Sequence, residues 1–317
     1  MVARTRYAPD RGLTARMGLT MFLLGLVFVA FVAAIIGISA AFHASDGAII
    51  FFAVILGGGL AIGSLFYSDK IALASAQARV VTPQQEPELH GIVDRVCALA
   101  DMPKPRIAVS PTQLPNAFAT GRNSEHAVLC VTEGLQRRLT NEELEGVIAH
   151  ELSHVAHKDV MVMTVASFLG VIAGLLIRFS FYGELFGGGG RRDNNNNQNA
   201  LPILLIIMAV SIVVYAISFL LIRLLSRYRE LAADRSGALL TGQPSALASA
   251  LTKVSGEIAR IPTKDLREAA PLNAFYFAPA LSGQQLQSKF ATLFSTHPSL
   301  EKRIAELNKI SAQLGQH

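Results

Sequence analysis

Four long runs of apolar residues organise this chain: Met17 to Phe42, Ala48 to Tyr67, Val160 to Ile177 and Ala200 to Ile222. Each has the length of about 18 to 26 residues with which a helix crosses a bilayer. Arg4, Arg6, Arg11 and Arg16 precede the first run, the link from Phe42 to Gly47 has no Lys or Arg, and Lys70 and Arg79 follow the second. Cationic flanks are retained on the cytoplasmic side, so the first two runs predict a transmembrane hairpin with a cytoplasmic N-terminus. A cleaved signal peptide is the competing explanation, but the first run exceeds the about 7 to 15 residues of a signal core. Between the third and fourth runs lie Gly187 to Gly190, Arg191, Arg192, Asp193 and Asn194 to Asn197, a tract expected to be a flexible loop. Arg223, Arg227 and Arg229 follow the fourth run and point to cytoplasm again. The loop would then be external, against which Arg191 and Arg192 weigh, so a second hairpin that spans and one that packs without crossing both stay open.

Between the hairpins the pattern changes. In residues 68 to 159, Pro87 suits a first helical position, and Leu89, Val93, Val96 and Ala100 then repeat at helical spacing. Pro103 and Pro105 end that helix. Arg106 to Val109 reads as a short strand, and Asn116 to Thr120 and His126 to Val131 as two more, joined by the turn-rich Gly121 to Ser124. Thr140, with Glu143 three positions on, forms a capping box that opens the next helix. Residues 223 to 317 read as helical, with Leu300, Ile304 and Leu307 on the apolar face of a last helix behind Pro298. No internal repeat is visible.

Composition agrees with lipid. The 317 residues are 51% hydrophobic and 16% charged, against about 25% charged in ordinary soluble domains. The net charge of +5 is explained by the flanks of the apolar runs, with no nucleic-acid partner implied. The middles of those runs carry no ionisable residue, which argues against a channel or transporter. Cys97 and Cys130 have no partner at metal-site spacing and read as small buried side chains.

The candidate chemistry lies in the capped helix, at His150-Glu151-Leu152-Ser153-His154. Histidines four apart stand on one helix face a turn apart, so both rings can reach one ion. Glu151 sits beside them, placed to take a proton from an attacking water, the arrangement of zinc hydrolases. Leu144, Ile148, Leu152 and Val155 form a neighbouring apolar face that would bury the helix. His157 and Asp159 fall off the His150–His154 face and read as structural; His43, His90 and His126 are isolated.

A third ligand is needed. The longer pattern with a third histidine is excluded, because Val160 stands where it would be. Ser226-Arg227-Tyr228-Arg229-Glu230 to Asp234 offers a carboxylate: Glu230 as ligand, with Asp234 one turn on to accept a ligand histidine's spare N–H. A solvated charged face flanked by arginines is the other reading, and spacing leaves both open.

With these motifs assembled, the chain resembles the HtpX family of bacterial membrane zinc metalloproteases, related to the Ste24 prenyl-protein proteases. The resemblance rests on His150 to His154, Ser226 to Asp234, Asn116-Ala117-Phe118-Ala119-Thr120-Gly121 and Thr296-His297-Pro298, and on two apolar hairpins around the motif. The N-terminal arm and the Asn-rich loop depart from the pattern without touching these motifs. The resemblance implies a mainly α membrane protein: four membrane helices in two hairpins, with a cytoplasmic α+β zincin-like (gluzincin) domain carrying a small β-sheet. The expected segments are 1–67, 68–159, 160–222 and 223–317, with the protease domain split between the second and fourth.

It also implies one Zn2+ per chain on His150, His154 and Glu230, with Asp234 behind them. Peptide hydrolysis would use Glu151 as general base and His297, with Tyr228 behind it, as donor to the oxyanion. His297 could equally be a structural residue at a helix entry. Asn116, Ala117, Phe118 and Ala119 have the look of an edge strand able to pair with an extended substrate, or else an interior hairpin strand. Misfolded membrane proteins are the implied substrates, and the bacterial inner membrane, with a cytoplasm-facing site, the implied location. The rival readings are a Ste24-like prenyl-peptide protease and a non-catalytic scaffold or metal sensor, for which a general base such as Glu151 would have no use. Finally, the helix from Thr140 is expected to run on towards the bilayer.

Overall fold

The computed structural model describes residues 11–41, 47–187, 200–260 and 297–315. The first ten residues, His43, most of the Gly/Asn-rich tract and segment 261–296 lie outside the described residues. The chain divides into two compact units, Met1–Ala15 with Leu65–Met161 and Ser226–His317, and Arg16–Ser64 with Val162–Leu225.

The second unit is built from apolar helices. Helix α1 spans Arg11–Ala41, α2 Gly47–Ser75, α6 Asp159–Gly187 and α7 Ala200–Thr241, all four contributing residues to both units. Phe31 and Ile35 of α1 bury against Leu169, Ile172 and Leu176 of α6 and Ile203 and Ile207 of α7. The outward residues are just as apolar, with Phe22 at 67% and Val29 at 64% exposure. A face of that kind is at home in hydrocarbon, where it costs nothing to leave open. Among the described residues, three helices are long and apolar enough to cross a membrane, within Arg11–Ile38, Asp159–Arg178 and Leu205–Thr241. The second predicted run lies in α2, part of whose side chains are outside the described residues.

The first unit holds the predicted strands. Strand β1 is Arg79–Val80, β2 Arg106–Ser110, β3 Ala117–Thr120 and β4 Val128–Thr132. The sheet order is β1-β2-β4-β3. β2 and β4 are parallel, with Arg106 opposite Val128, and β3 returns antiparallel to β4, with Ala117 opposite Val131. β1 was not visible in the sequence, because two residues cannot show an alternation. His126 falls in a 3-10 turn before β4 instead of opening the strand.

Alternation along the strands separates two faces. Ile107, Val109, Leu129 and Val131 join helix α3 (Pro87–Ala100) and helix α5 (Asn141–Ala156) in the main core. Ala108, Phe118, Val128 and Cys130 pack on Ala72 of α2 and on Ala76 just after it. Helix α4 (Glu133–Gln136) is a single turn after β4. Helix α8 (Pro244–Arg260) adds Leu247, Leu251 and Val254 to the main core, and α9 (Leu300–Gln313) adds Leu307 and Ile310. Both cysteines are buried and free.

Two boundaries differ from expectation. Helix α5 does not run on: it stops at Ala156, Lys158 takes a left-handed backbone with φ of 57°, and a new helix begins at Asp159. Conversely, α7 does not end with its apolar run but continues as one helix to Thr241. A left-handed residue is invisible to hydrophobic periodicity, and a helix gains backbone bonds irrespective of where its apolar stretch stops.

Candidate metal centre and active site

Helix α5 is fixed at its start by the predicted capping box. The Thr140 N–H donates to Glu143 Oε2 at 2.9 Å, and the Glu143 N–H to Thr140 Oγ1 at 3.4 Å. Glu143 also accepts from Ser249 and Lys253 of α8, at 2.6 and 2.8 Å. Burial opposes its charge, but these partners more than offset that and hold the carboxyl below its usual value. Leu144, Val147, Ile148 and Leu152 anchor the helix in the core. This sets His150 and His154 towards α7.

Helix α7 comes unusually close there. A Cβ on Gly237 would lie 2.9 Å from the His150 backbone nitrogen, so only glycine permits this approach. The approach brings Glu230 between the two rings: its Oε2 is 3.7 Å from His150 Nε2, and its Oε1 is 3.6 Å from His154 Nε2. The two Nε2 atoms are 3.3 Å apart.

The rear nitrogens are held by carboxylates. His150 Nδ1 lies 2.9 Å from Asp234 Oδ1, and His154 Nδ1 lies 2.6 Å from Asp159 Oδ2. Such a partner keeps the proton on Nδ1 and leaves Nε2 its lone pair. With both rings neutral, two lone pairs and a carboxylate converge, which is a site for a cation. Zinc bonds of about 2.0 to 2.2 Å at tetrahedral angles would set ligand atoms about 3.3 to 3.6 Å apart; the two Nε2 atoms are 3.3 Å apart, and one atom from each of the three residues can be chosen within 4.8 Å of the others. The residues fit such an ion, with three protein ligands among the described residues.

Glu151 is buried beside these groups and accepts from the Ala119 N–H of β3 at 3.1 Å. Burial, reinforced by the Glu230 carboxylate, pushes its carboxyl up to about 7, against the opposing pull of His154 and the Ala119 N–H. Burial lowers the His150 pKa, Asp234 opposing. Burial would lower His154 too, but Asp159, Glu230 and Glu151 raise it overall.

His297 reaches the site from the chain just before α9, with Nδ1 3.1 Å from Glu230 Oε2. Tyr228 is half-buried on α7. β3 forms one edge of the four-stranded sheet, as one of the two sequence readings had it. Asn116 precedes the strand proper, with its N–H on Thr132 Oγ1 at 2.9 Å, while Ala117 and Phe118 are buried and Ala119 half-buried.

One expectation is corrected and one group was missed. Asp159 does not point away: the break at Lys158 folds it back onto His154. His157 does remain structural, its Nδ1 on the Ser153 carbonyl at 2.8 Å. Arg303 of α9 had no signal at all. It is 1% exposed and grips Asp234 with two bonds, Nε at 2.7 Å and Nη2 at 2.6 Å, across 69 positions of chain. Burial lowers its pKa, but Asp234, Glu230 and Glu151 raise it overall. Arg229 likewise donates to Asp159 Oδ2 at 2.8 Å.

Comparison with known proteins agrees with this geometry. Residues 83–311 match Peptidase family M48. The chain is 58% identical, over 99% of its length and 97% of the relative's, to Protease HtpX homolog 1 of Streptomyces coelicolor. It is 48% identical, over 98% of each chain, to the Protease HtpX homolog of Moorella thermoacetica. Among solved structures it is similar in fold to Ste24p of S. mikatae, with a TM-score of 0.51 at 15% identity. The match covers 94% of this chain but only 66% of that one. A buried His-His-Glu cluster with a glutamate at its side, a membrane unit and these relatives lead to one conclusion: the chain is a membrane metalloprotease of peptidase family M48 and belongs to its HtpX group.

Proposed function

We propose that this chain is a zinc-dependent endopeptidase that cuts misfolded membrane proteins at the cytoplasmic face of the bacterial inner membrane. The observation that carries the reading is the convergence of His150 Nε2, His154 Nε2 and the Glu230 carboxylate beside the buried Glu151. Bound zinc would polarise the scissile carbonyl and bring the pKa of an attacking water down to about 7.

The chain's own groups do the rest. Asp234 keeps the His150 Nε2 in ligand form, and Glu230 supplies the anionic ligand. Glu151 takes the proton from the attacking water and passes it to the leaving amine. The Ala119 N–H holds the Glu151 carboxylate in place for both halves of that transfer. His297 is the candidate donor to the oxyanion. An extended substrate backbone would add to the outer edge of β3, the strand whose Ala119 N–H meets Glu151.

Four membrane spans in two hairpins are part of this reading. They are supported by the three helices of sufficient length, by the apolar run in α2, and by the arginines before α1 and after the α7 run.

The test uses full-length protein in detergent with an unfolded membrane protein as substrate. Cleavage is expected to stop on chelation and return with zinc. Cleavage unaffected by exhaustive chelation would refute zinc dependence. Full zinc binding without any cleavage would favour the sensor or scaffold.

A further inference from the structure

The two ligand histidines are supported in the same way from different parts of the chain. Behind His150 stand Asp234 and then Arg303, and behind His154 stand Asp159 and then Arg229. The first carboxylate lies one turn from Glu230 on the same helix, where spacing could find it. The second lies where spacing forbids it. On an unbroken helix a residue five positions after His154 would stand about 140° around the axis and could not touch its ring.

The contact exists because the helix is broken. Lys158, with φ of 57°, ends α5 and turns the chain so that Asp159 opens α6 with its side chain folded back. Its Oδ2 takes both His154 Nδ1 at 2.6 Å and Arg229 Nη2 at 2.8 Å. Asp159 is 3% exposed, and a carboxylate so buried needs a cation. Arg229 meets that need, and it is the residue directly before Glu230. The segment that delivers the anionic ligand thus also pins the group behind the second histidine.

We infer that Asp159, held by Arg229, is a positioning residue: it keeps the proton of His154 on Nδ1 and aims Nε2 at Glu230 and His150. This rests on the metal-site reading given above. An acidic residue in a first helical turn also stabilises the helix through its dipole, and that role alone would not touch the metal.

The experiment compares wild-type protein, Asp159→Ala, Asp159→Asn and Arg229→Lys, all full-length in detergent. Zinc affinity is read by competition with a chromophoric chelator, and ligand geometry by the visible spectrum of the cobalt-substituted protein. Loss of a group behind a metal ligand weakens metal binding about 10- to 100-fold, and Asp159→Ala is expected in that range. Asp159→Asn keeps an oxygen for Nδ1–H and is expected to lose less. Arg229→Lys keeps the charge but not the reach, and is expected to shift the cobalt bands. If Asp159→Ala does not fold, Asp159→Asn and Arg229→Lys decide by the same readouts. Zinc affinity within about twofold of wild type in every folded variant, with unchanged cobalt bands, would overturn the inference even if thermal stability fell. Wild-type protein that binds no zinc would overturn the zinc reading itself, and the inference with it.

Discussion

A histidine can hold a cation only through a nitrogen without a proton, so the groups behind the rings matter as much as those in front. At His150 that group is Asp234, and Asp234 is itself clamped by Arg303. Arg303 also lies 3.7 Å from Glu230 Oε2, where its charge eases the crowding of buried carboxylates. Arg303→Met would leave Asp234 buried without its cation. Breaking a buried pair from one side costs about 3 to 5 kcal/mol, and that is the expected loss in unfolding free energy measured in detergent. A change under about 0.5 kcal/mol, the range of an ordinary surface substitution, would show that the pair is not needed. The Arg303 clamp was not visible in the sequence, because Arg303 is one more arginine on a helix whose partner is 69 positions away. His150, Glu151 and His154 were legible for the opposite reason: they lie close together on one helix, and that spacing is itself the chemistry. Glu230 and Asp234 stood between these cases, since spacing alone left them open and the geometry brings them onto the histidines.

At the scale of elements, the site is a crossing of two helices at one glycine. Gly237 allows α7 to lie against the backbone of α5 at Ala149 and His150, which sets the distance of Glu230 and Asp234 from the rings. Gly237→Ala would place a Cβ 2.9 Å from the His150 nitrogen, and backbone cannot yield as a flexible side chain does. Overpacking of this kind costs about 1 to 3 kcal/mol, while alanine returns up to about 1 kcal/mol of helix propensity. Stability should therefore fall slightly, but the helices must part by several tenths of an ångström. Zinc affinity measured by chelator competition is expected to drop clearly more than stability does; an unchanged affinity would mean that the crossing does not set the site. Element types were well marked in the sequence by the capping box, by Pro87 and by the alternation in the strands. Element ends were not. The left-handed Lys158 and the continuation of α7 past Ile222 carry no signature in hydrophobic periodicity.

At the scale of the whole molecule, apolar runs and site residues alternate along the chain. The unit that carries the His-His-Glu cluster draws on Leu65–Met161 and Ser226–His317, and the apolar unit on Arg16–Ser64 and Val162–Leu225. An apolar hairpin therefore separates Glu151 from Glu230 in sequence, and the arginines around it give the proposed orientation. That orientation predicts that Ser45→Cys, in the link after the first run, is labelled by an impermeant maleimide from outside the inner membrane. A cysteine added after His317 should be labelled only once the membrane is opened. The reverse pattern would turn the proposed topology over.

The central claim is that Glu151 acts as the base beside an ion held by other residues. It is tested most directly by Glu151→Gln, with zinc content and cleavage of an unfolded membrane substrate measured on the same preparation. The amide is nearly isosteric and removes no ligand. The expected result is about one zinc per chain with cleavage reduced by at least about 100-fold, the scale of general-base catalysis. Cleavage at the wild-type rate with zinc in place would contradict the account.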